Sequence, residues 1–294
     1  MENILEIKGL CKKYDDFTLK DVSFSLPKGY IMGFVGENGS GKTTTIRSIL
    51  NMAKKDSGSI SVFGLDSVTD TIAIKERIGV VFDSLYLAEH LNVRKIENQL
   101  RPFYKDWDSE EFFRRIRQFD LPDNKKVGDF SKGMKMKLMI AVALSHKAEL
   151  IILDEPTSGL DPVARDELLD ILAEYIEDES RGVLFSTHIT ADVERIADYV
   201  TILHNGCVWF SGTKDSLTEK YAVVKGSEED IPLELKDKFI GFHAYRNGFD
   251  ALIKADDLAG VPDTLEYEKA SIDEILVYIA KEDKNERRSE NHEI

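Results

Sequence analysis

Gly36-Glu37-Asn38-Gly39-Ser40-Gly41-Lys42-Thr43 is the run whose residue types and spacing most directly specify a chemistry. It fits GxxxxGK[ST] and stands between an expected strand, Ile31–Val35, and a helix expected to begin near Lys42. Glycines at these positions let backbone N–H groups converge on phosphate oxygens, and the helix N-terminus adds partial positive charge. Lys42 then bridges terminal phosphates and Thr43 can ligate Mg²⁺. Gly36, Asn38, Gly39, Ser40, Gly41, Lys42, Thr43 and Thr44 are therefore candidate nucleotide-binding residues. The plain alternative, a Gly/Ser turn capping a helix, is outweighed by the strand before the run and the helix after it.

A second candidate is Leu150-Ile151-Ile152-Leu153-Asp154-Glu155, an apolar strand ending in two acids. In a parallel sheet, ligands gather at the C-terminal ends of strands. Asp154 is thereby expected to hold Mg²⁺ through water, and Glu155 to polarise the water attacking a terminal phosphate. Two acids after an apolar run are more often solvated strand ends. The phosphate loop upstream reverses that weighting.

The elements that must position these residues follow from the hydrophobic period. Short alternating segments over Ile4–Phe34 read as β structure, broken by turns at Asp15-Asp16 and Pro27-Lys28-Gly29. Ile46, Ile49, Leu50 and Ala53 then fall on a helical stripe. Further strands are expected at Ser59–Phe63 and Ile78–Phe82. A mainly helical insertion, with Phe112, Phe113, Ile116 and Phe119 on helical spacing, is expected over about 84–145. Strands at Leu150–Leu153, Gly182–Ser186 and Val200–Leu203 alternate with helices at Arg165–Ile176 and Ala191–Ala197, the βαβ rhythm of a parallel sheet. Asp198–Gly206 reads as one more strand and a hairpin.

The expected fold class is α/β: a P-loop NTPase core with a parallel sheet, an antiparallel β subdomain and a helical insertion, plus a small C-terminal α/β extension. The expected domains are 1–218 and 219–294. In the extension, Gly241–Tyr245 and Phe249–Lys254 flank Arg246-Asn247-Gly248, whose Asn-Gly signals a type I′ turn. Ser271 reads as an N-cap with Glu274 three residues on, and Ile272, Ile275, Leu276 and Ile279 form the inner face of that helix. The final KNERRSENHEI reads as a frayed tail.

With 294 residues the chain has room for one large domain and one small one. Its 39 Lys+Arg against 54 Asp+Glu leave a net charge of −15, which repels duplex nucleic acid and anionic bilayers, so no nucleic-acid partner is expected. No apolar run approaches the ~20 residues of a membrane span, and MENILEIKGL lacks the apolar core of a secretion signal. A cytosolic chain is expected. Cys11 and Cys207 stand far apart, as ordinary reduced thiols do.

In order, these segments resemble the ATP-binding subunit of an ABC transporter, over about Leu5 to Gly212. The phosphate loop, LDEPTSGLDP at Leu153–Pro162 and Ser186-Thr187-His188 carry the resemblance. It implies that His188 contacts the γ-phosphate, that Asp161 and Ser158 form a loop crossing a dimer interface, and that Tyr14 stacks on adenine. Packing on an edge strand explains Tyr14 about equally well.

Two positions depart from the family pattern. The signature stands here as Phe130-Ser131-Lys132-Gly133-Met134, where Ser131, the Gly133 amide and the helix N-terminus are expected to clamp a γ-phosphate. The bland reading of Ser131-Lys132-Gly133 is a helix cap. Asp83 stands where the family has Gln, and is expected to reach Mg²⁺ through water. The segment that follows, Leu85–Arg94, still resembles the family's segment after that Gln's loop, which leads to a membrane partner.

The resemblance implies an ATPase that binds ATP and Mg²⁺, works with a second nucleotide-binding subunit, as a homodimer or heterodimer, and energises transport through a separate transmembrane permease at the cytoplasmic face of the membrane. An export-type system is expected. A DNA-repair ATPase would carry a long coiled coil between Lys42 and Asp154, which stand only 112 residues apart. A GTPase would carry Asn-Lys-x-Asp, and Asn124-Lys125-Lys126-Val127 lacks the Asp. The rival that stays open is a regulatory, poorly hydrolysing cassette, motivated by Asp83, Lys132 and Met134.

Overall fold

The computed structural model describes residues 2–84 and 86–292, with the backbone alone over 284–292. In chain order the first elements are β1 (Asn3–Lys13), β2 (Thr18–Pro27), β3 (Ile31–Val35), α1 (Lys42–Ile49), β4 (Ser57–Val62), β5 (Leu65–Asp66), α2 (Thr71–Lys75) and β6 (Ile78–Val81). Three helices follow: α3 (Val93–Leu100), α4 (Ser109–Gln118) and α5 (Lys132–Leu144). Then come β7 (Leu150–Asp154), α6 (Pro162–Tyr175), β8 (Gly182–Thr187), α7 (Thr190–Ile196), β9 (Tyr199–His204) and β10 (Cys207–Thr213). The last part holds α8 (Lys214–Lys220), β11 (Tyr221–Gly226), α9 (Leu233–Lys236), β12 (Ile240–Tyr245), β13 (Gly248–Lys254), β14 (Glu266–Lys269) and α10 (Ile272–His292).

The described residues divide into two compact units, Met1–Ser211 and Gly212–Ile294, so the division precedes the expected boundary and α8 goes with the second unit. In the first unit a six-stranded sheet runs β10-β9-β3-β8-β7-β6, and a four-stranded antiparallel sheet runs β2-β1-β4-β5. Strands β3, β7 and β8 are buried along their whole length, as parallel strands covered on both faces must be. Val35 pairs with Thr187 and Asp154 with Ser186, so the C-terminal ends of β3, β8 and β7 lie side by side. Phosphate loop, acidic pair and histidine all leave the sheet at that edge.

The expected helical insertion is present as α3, α4 and α5. Phe112 and Ile116 are buried on the inner face of α4, and Phe119 is buried at its C-cap. Of the Leu85–Arg94 segment, Leu85 lies outside the described residues. Helix α1 stops earlier than its stripe suggests: Asn51 takes φ +51°, and the N–H groups of Met52 and Ala53 both turn back to Arg47 O, at 2.8 and 3.1 Å. Ala53 therefore lies beyond the helix, past a left-handed closing residue.

The second unit is an antiparallel sheet, β12-β13-β11-β14, with α10 following it in sequence. The expected hairpin forms with a different corner. Tyr245 pairs with Gly248, so Arg246 and Asn247 make the turn, and neither has the positive φ of a type I′ turn. Gly248 serves the strand instead: a Cβ there would stand 2.4 Å from Gly226 O. Ser271 caps α10 as expected, its Oγ accepting from Glu274 N at 3.2 Å while Glu274 Oε2 accepts from Ser271 N at 3.0 Å. The stretch expected to fray stays helical through His292, and Glu293 and Ile294 lie outside the described residues.

Candidate functional site

Strand β3 delivers the chain to Gly36, where only glycine fits: a Cβ would lie 2.2 Å from Leu203 O and 2.6 Å from Ser40 Oγ. Gly41, at φ +112°, turns the loop into α1. The loop closes around its own lysine. Lys42 is 6 % exposed, and its Nζ donates to Gly36 O at 2.7 Å and Glu37 O at 3.2 Å. No acid occupies the first turn of α1, so the positive end of the helix is left for an anion. Ser40 Oγ is buried there without a hydrogen-bond partner. An orphaned buried hydroxyl at the start of a helix fits a phosphate oxygen.

Three neighbouring strand ends bring the second half of the site. Asp154, closing β7, accepts from Ser186 Oγ at 2.6 Å through Oδ1 and from Thr43 Oγ1 at 2.8 Å through Oδ2. A hydroxyl and a carboxylate held together at the foot of the phosphate loop are hard oxygen donors of the kind Mg²⁺ takes. Among the described residues no cluster of three or more His, Cys, Asp or Glu forms a metal cage. This pair would hold such an ion only with oxygens from a phosphate or water.

Glu155 takes φ +52°, a left-handed conformation uncommon for a side chain of its size. Its N–H is fixed by Ser186, through O and Oγ at 3.1 Å each. The turn throws the carboxylate between an ammonium and an imidazole: Oε2 lies 2.7 Å from His188 Nδ1, and Oε1 lies 3.2 Å from Lys42 Nζ outside hydrogen-bonding alignment. The three side chains run from buried Lys42 through Glu155, 17 % exposed, to His188, 44 % exposed. A carboxylate so placed can accept a proton.

A cleft of about 540 Å³ opens over the loop, lined by Tyr14, Asp16, Phe17, Asn38, Gly39, Gly41, Lys42, Thr43, Thr44 and Glu155. Tyr14 is 44 % exposed, and a turn closed by Tyr14 N to Phe17 O at 2.7 Å brings both aromatic rings to the mouth. Sequence reasoning named Tyr14 and missed Phe17 and Asp16. The Asp15-Asp16 turn is the signal that pairs them. Ser186, read as part of a motif, turns out to hold both Asp154 and Glu155.

Four expected residues stand elsewhere. Ser131 caps α5, accepting from Met134 N at 3.2 Å, and Asp161 caps α6, accepting from Val163 N and Ala164 N at 3.0 Å each. Gly133 lies close to α6, where a Cβ would stand 3.3 Å from Ala164 Cβ. None of these lines the cleft. Asp83 Oδ1 pairs with Lys132 Nζ at 2.9 Å, a full positive charge at hydrogen-bond distance.

Comparison with known proteins follows the same geometry. Residues 19–158 match the family described as ABC transporter. The chain is 35 % identical over 208 residues to ABC transporter ATP-binding protein NatA of Bacillus subtilis (strain 168), covering 68 % of this chain and 84 % of that one. The chain belongs to the ABC transporter ATP-binding family. A second ABC relative, bacitracin transport ATP-binding protein BcrA of Bacillus licheniformis, is 32 % identical over 86 % of this chain and 85 % of its own. A solved ATP-binding subunit of an ABC transporter superposes with a TM-score of 0.67 at 33 % identity, over 73 % of this chain and 91 % of that one. The fold is shared as well with a dimeric cassette in a post-hydrolysis state bound to ADP and Pi, TM-score 0.63 at 23 % identity, over 71 % and 98 %.

ABC transporter ATP-binding subunits bind and hydrolyse ATP and energise transport through a separate transmembrane permease. Among the described residues no helix of this cassette is long and apolar enough to cross a membrane.

Proposed function

We propose that the cassette hydrolyses Mg-ATP at the Lys42–Glu155–His188 line and drives export, at the cytoplasmic face of the membrane. The observation that carries this reading is the convergence, at one sheet edge, of a phosphate-shaped loop, a hydroxyl–carboxylate pair and a carboxylate between lysine and imidazole.

Loop amides and Lys42 bind the β- and γ-phosphates, Lys42 exchanging its carbonyl contacts for phosphate oxygens. Tyr14 and Phe17 flank the base. Mg²⁺, held by Thr43 and Asp154, supplies charge neutralisation on the phosphate oxygens when bound. Glu155 accepts the proton of the attacking water on a carboxylate oxygen, and once Lys42 has moved to phosphate, Oε1 is free for it. His188 holds Oε2 and aims the carboxylate. Ser131, Gly133 and Asp161 belong to the face offered to a second cassette, where Ser131 and the N-terminus of α5 complete the partner's site. The BcrA relative's name mentions bacitracin transport; for this chain an amphipathic drug, peptide or lipid is the proposed class of cargo. The second unit is proposed as an accessory module.

A second reading has an observation of its own. Lys132 is occupied by Asp83, which favours a slow, regulatory cassette. Steady-state ATP turnover separates the two: wild type far above Glu155→Gln supports the first reading, and equal rates support the second.

A further inference from the structure

We propose that Asp192 is a positioning residue for hydrolysis, clamping the loop that carries Glu155 to the helix that follows His188. The inference rests on the assignment of Glu155 and His188 above.

Asp192 lies on α7 and is fully buried, an expensive place for a carboxylate unless it is paired. It has two partners from two other segments. Oδ2 accepts from Thr157 Oγ1 at 2.6 Å, and Oδ1 accepts from Arg165 Nε at 2.5 Å. Thr157, 1 % exposed, sits two residues after Glu155, and Arg165 lies in the first turns of α6, at the far end of the same loop. One carboxylate therefore grips the Glu155 loop at both ends.

The path from Asp192 back to His188 is equally short and fixed. Asp192 N donates to Ile189 O at 3.1 Å, and Ile189 N donates to Thr187 Oγ1 at 2.9 Å. From Thr157 toward Glu155, Ser158 N donates to Glu155 O at 3.2 Å and Leu160 N to Thr157 O at 3.2 Å. The 2.7 Å contact between His188 Nδ1 and Glu155 Oε2 is thus one side of a closed figure whose opposite side is the Asp192–Thr157 bond. Glu155 also holds an unfavourable φ of +52°, which persists only when its surroundings over-determine it. Asp192 does not line the cleft over the phosphate loop, so it acts through Glu155 and His188.

The test is steady-state ATP turnover of the full chain, well below each variant's melting temperature. Thr157→Val removes the donor without changing shape, Thr157→Ser keeps it, and Asp192→Ala removes the clamp. Leu172→Ala, a buried α6 change, controls for lost stability alone. Expected are a kcat loss of roughly ten- to a hundredfold for Thr157→Val and Asp192→Ala, with KM for ATP within about twofold, and near wild-type kcat for Thr157→Ser and Leu172→Ala. Should Asp192→Ala fail to fold, Thr157→Val and Thr157→Ser decide alone. An unchanged kcat in Thr157→Val, or an equal loss in Leu172→Ala, overturns the proposal. Glu155→Gln, run alongside, separates the failures. If it turns over like wild type, the site assignment and the clamp both fall; if it is inactive while Thr157→Val is normal, only the clamp falls.

Discussion

Lys132 Nζ lies 2.9 Å from Asp83 Oδ1, so an ion pair joins two segments 49 residues apart in sequence. Lys132 is the first residue of α5 and Asp83 follows β6. Both side chains are about half exposed, at 44 % and 55 %, and such pairs add little stability. In a double-mutant cycle of Asp83→Asn and Lys132→Met followed by urea unfolding, the coupling is expected to stay below about 1 kcal/mol and to vanish in about 1 M salt. A coupling that survives salt would show the pair to be shielded in solution.

Gly36→Ala is expected to be destructive. The new methyl would press on Leu203 O, a backbone atom that cannot swing aside. Overpacking of this kind costs about 1–3 kcal/mol, and ATP affinity should fall with it because the loop amides move. Chemical denaturation and nucleotide titration measure the two losses; a variant as stable as wild type would contradict the close approach.

Asp161 accepts from two N–H groups at the start of α6, so Asp161→Ala should cost about 1 kcal/mol in urea unfolding, while Asp161→Asn, which keeps an acceptor oxygen, should cost much less. Equal losses would argue that the charge, and not the cap, matters.

His146 predicts a pH effect. The ring is 2 % exposed, stacks on Tyr104 at 4.1 Å, and sets its nitrogens 3.1 Å from Val142 O and Ile78 O. Burial pulls its pKa below the ordinary 6.5, against the two carbonyls, which favour the proton. The folded state therefore binds this proton less readily than the unfolded one. Its stabilisation is complete above the unfolded pKa and is lost as pH falls through the folded one. Melting temperature should drop between about pH 7 and pH 5, and the drop should be smaller in His146→Gln. A parallel drop in both would assign the effect to other groups.

The site was legible where its signals are local. Gly36–Thr43 carries its own strand-to-helix context, and Asp154-Glu155 ends an apolar run, so both could be placed before any coordinates. The misses are matters of register and of distance along the chain. Asn247-Gly248 looks like a hairpin corner, yet Gly248 is needed in the strand for its approach to Gly226, which no local pattern reveals. Asn51 did carry a signal, since asparagine tolerates the left-handed conformation that ends α1 ahead of Ala53. The Asp83–Lys132 pair joins residues 49 apart in sequence, which no local pattern reveals. Asp192 and Thr157 meet across two loops in the same way.

Hydrolysis at Glu155 is the centre of the account, and single-turnover and steady-state ATP cleavage by wild type and Glu155→Gln test it most directly. The account predicts a loss of about a hundredfold or more in the variant, with Mg-ATP still bound as tightly as in wild type. Equal cleavage rates in the two proteins would contradict it.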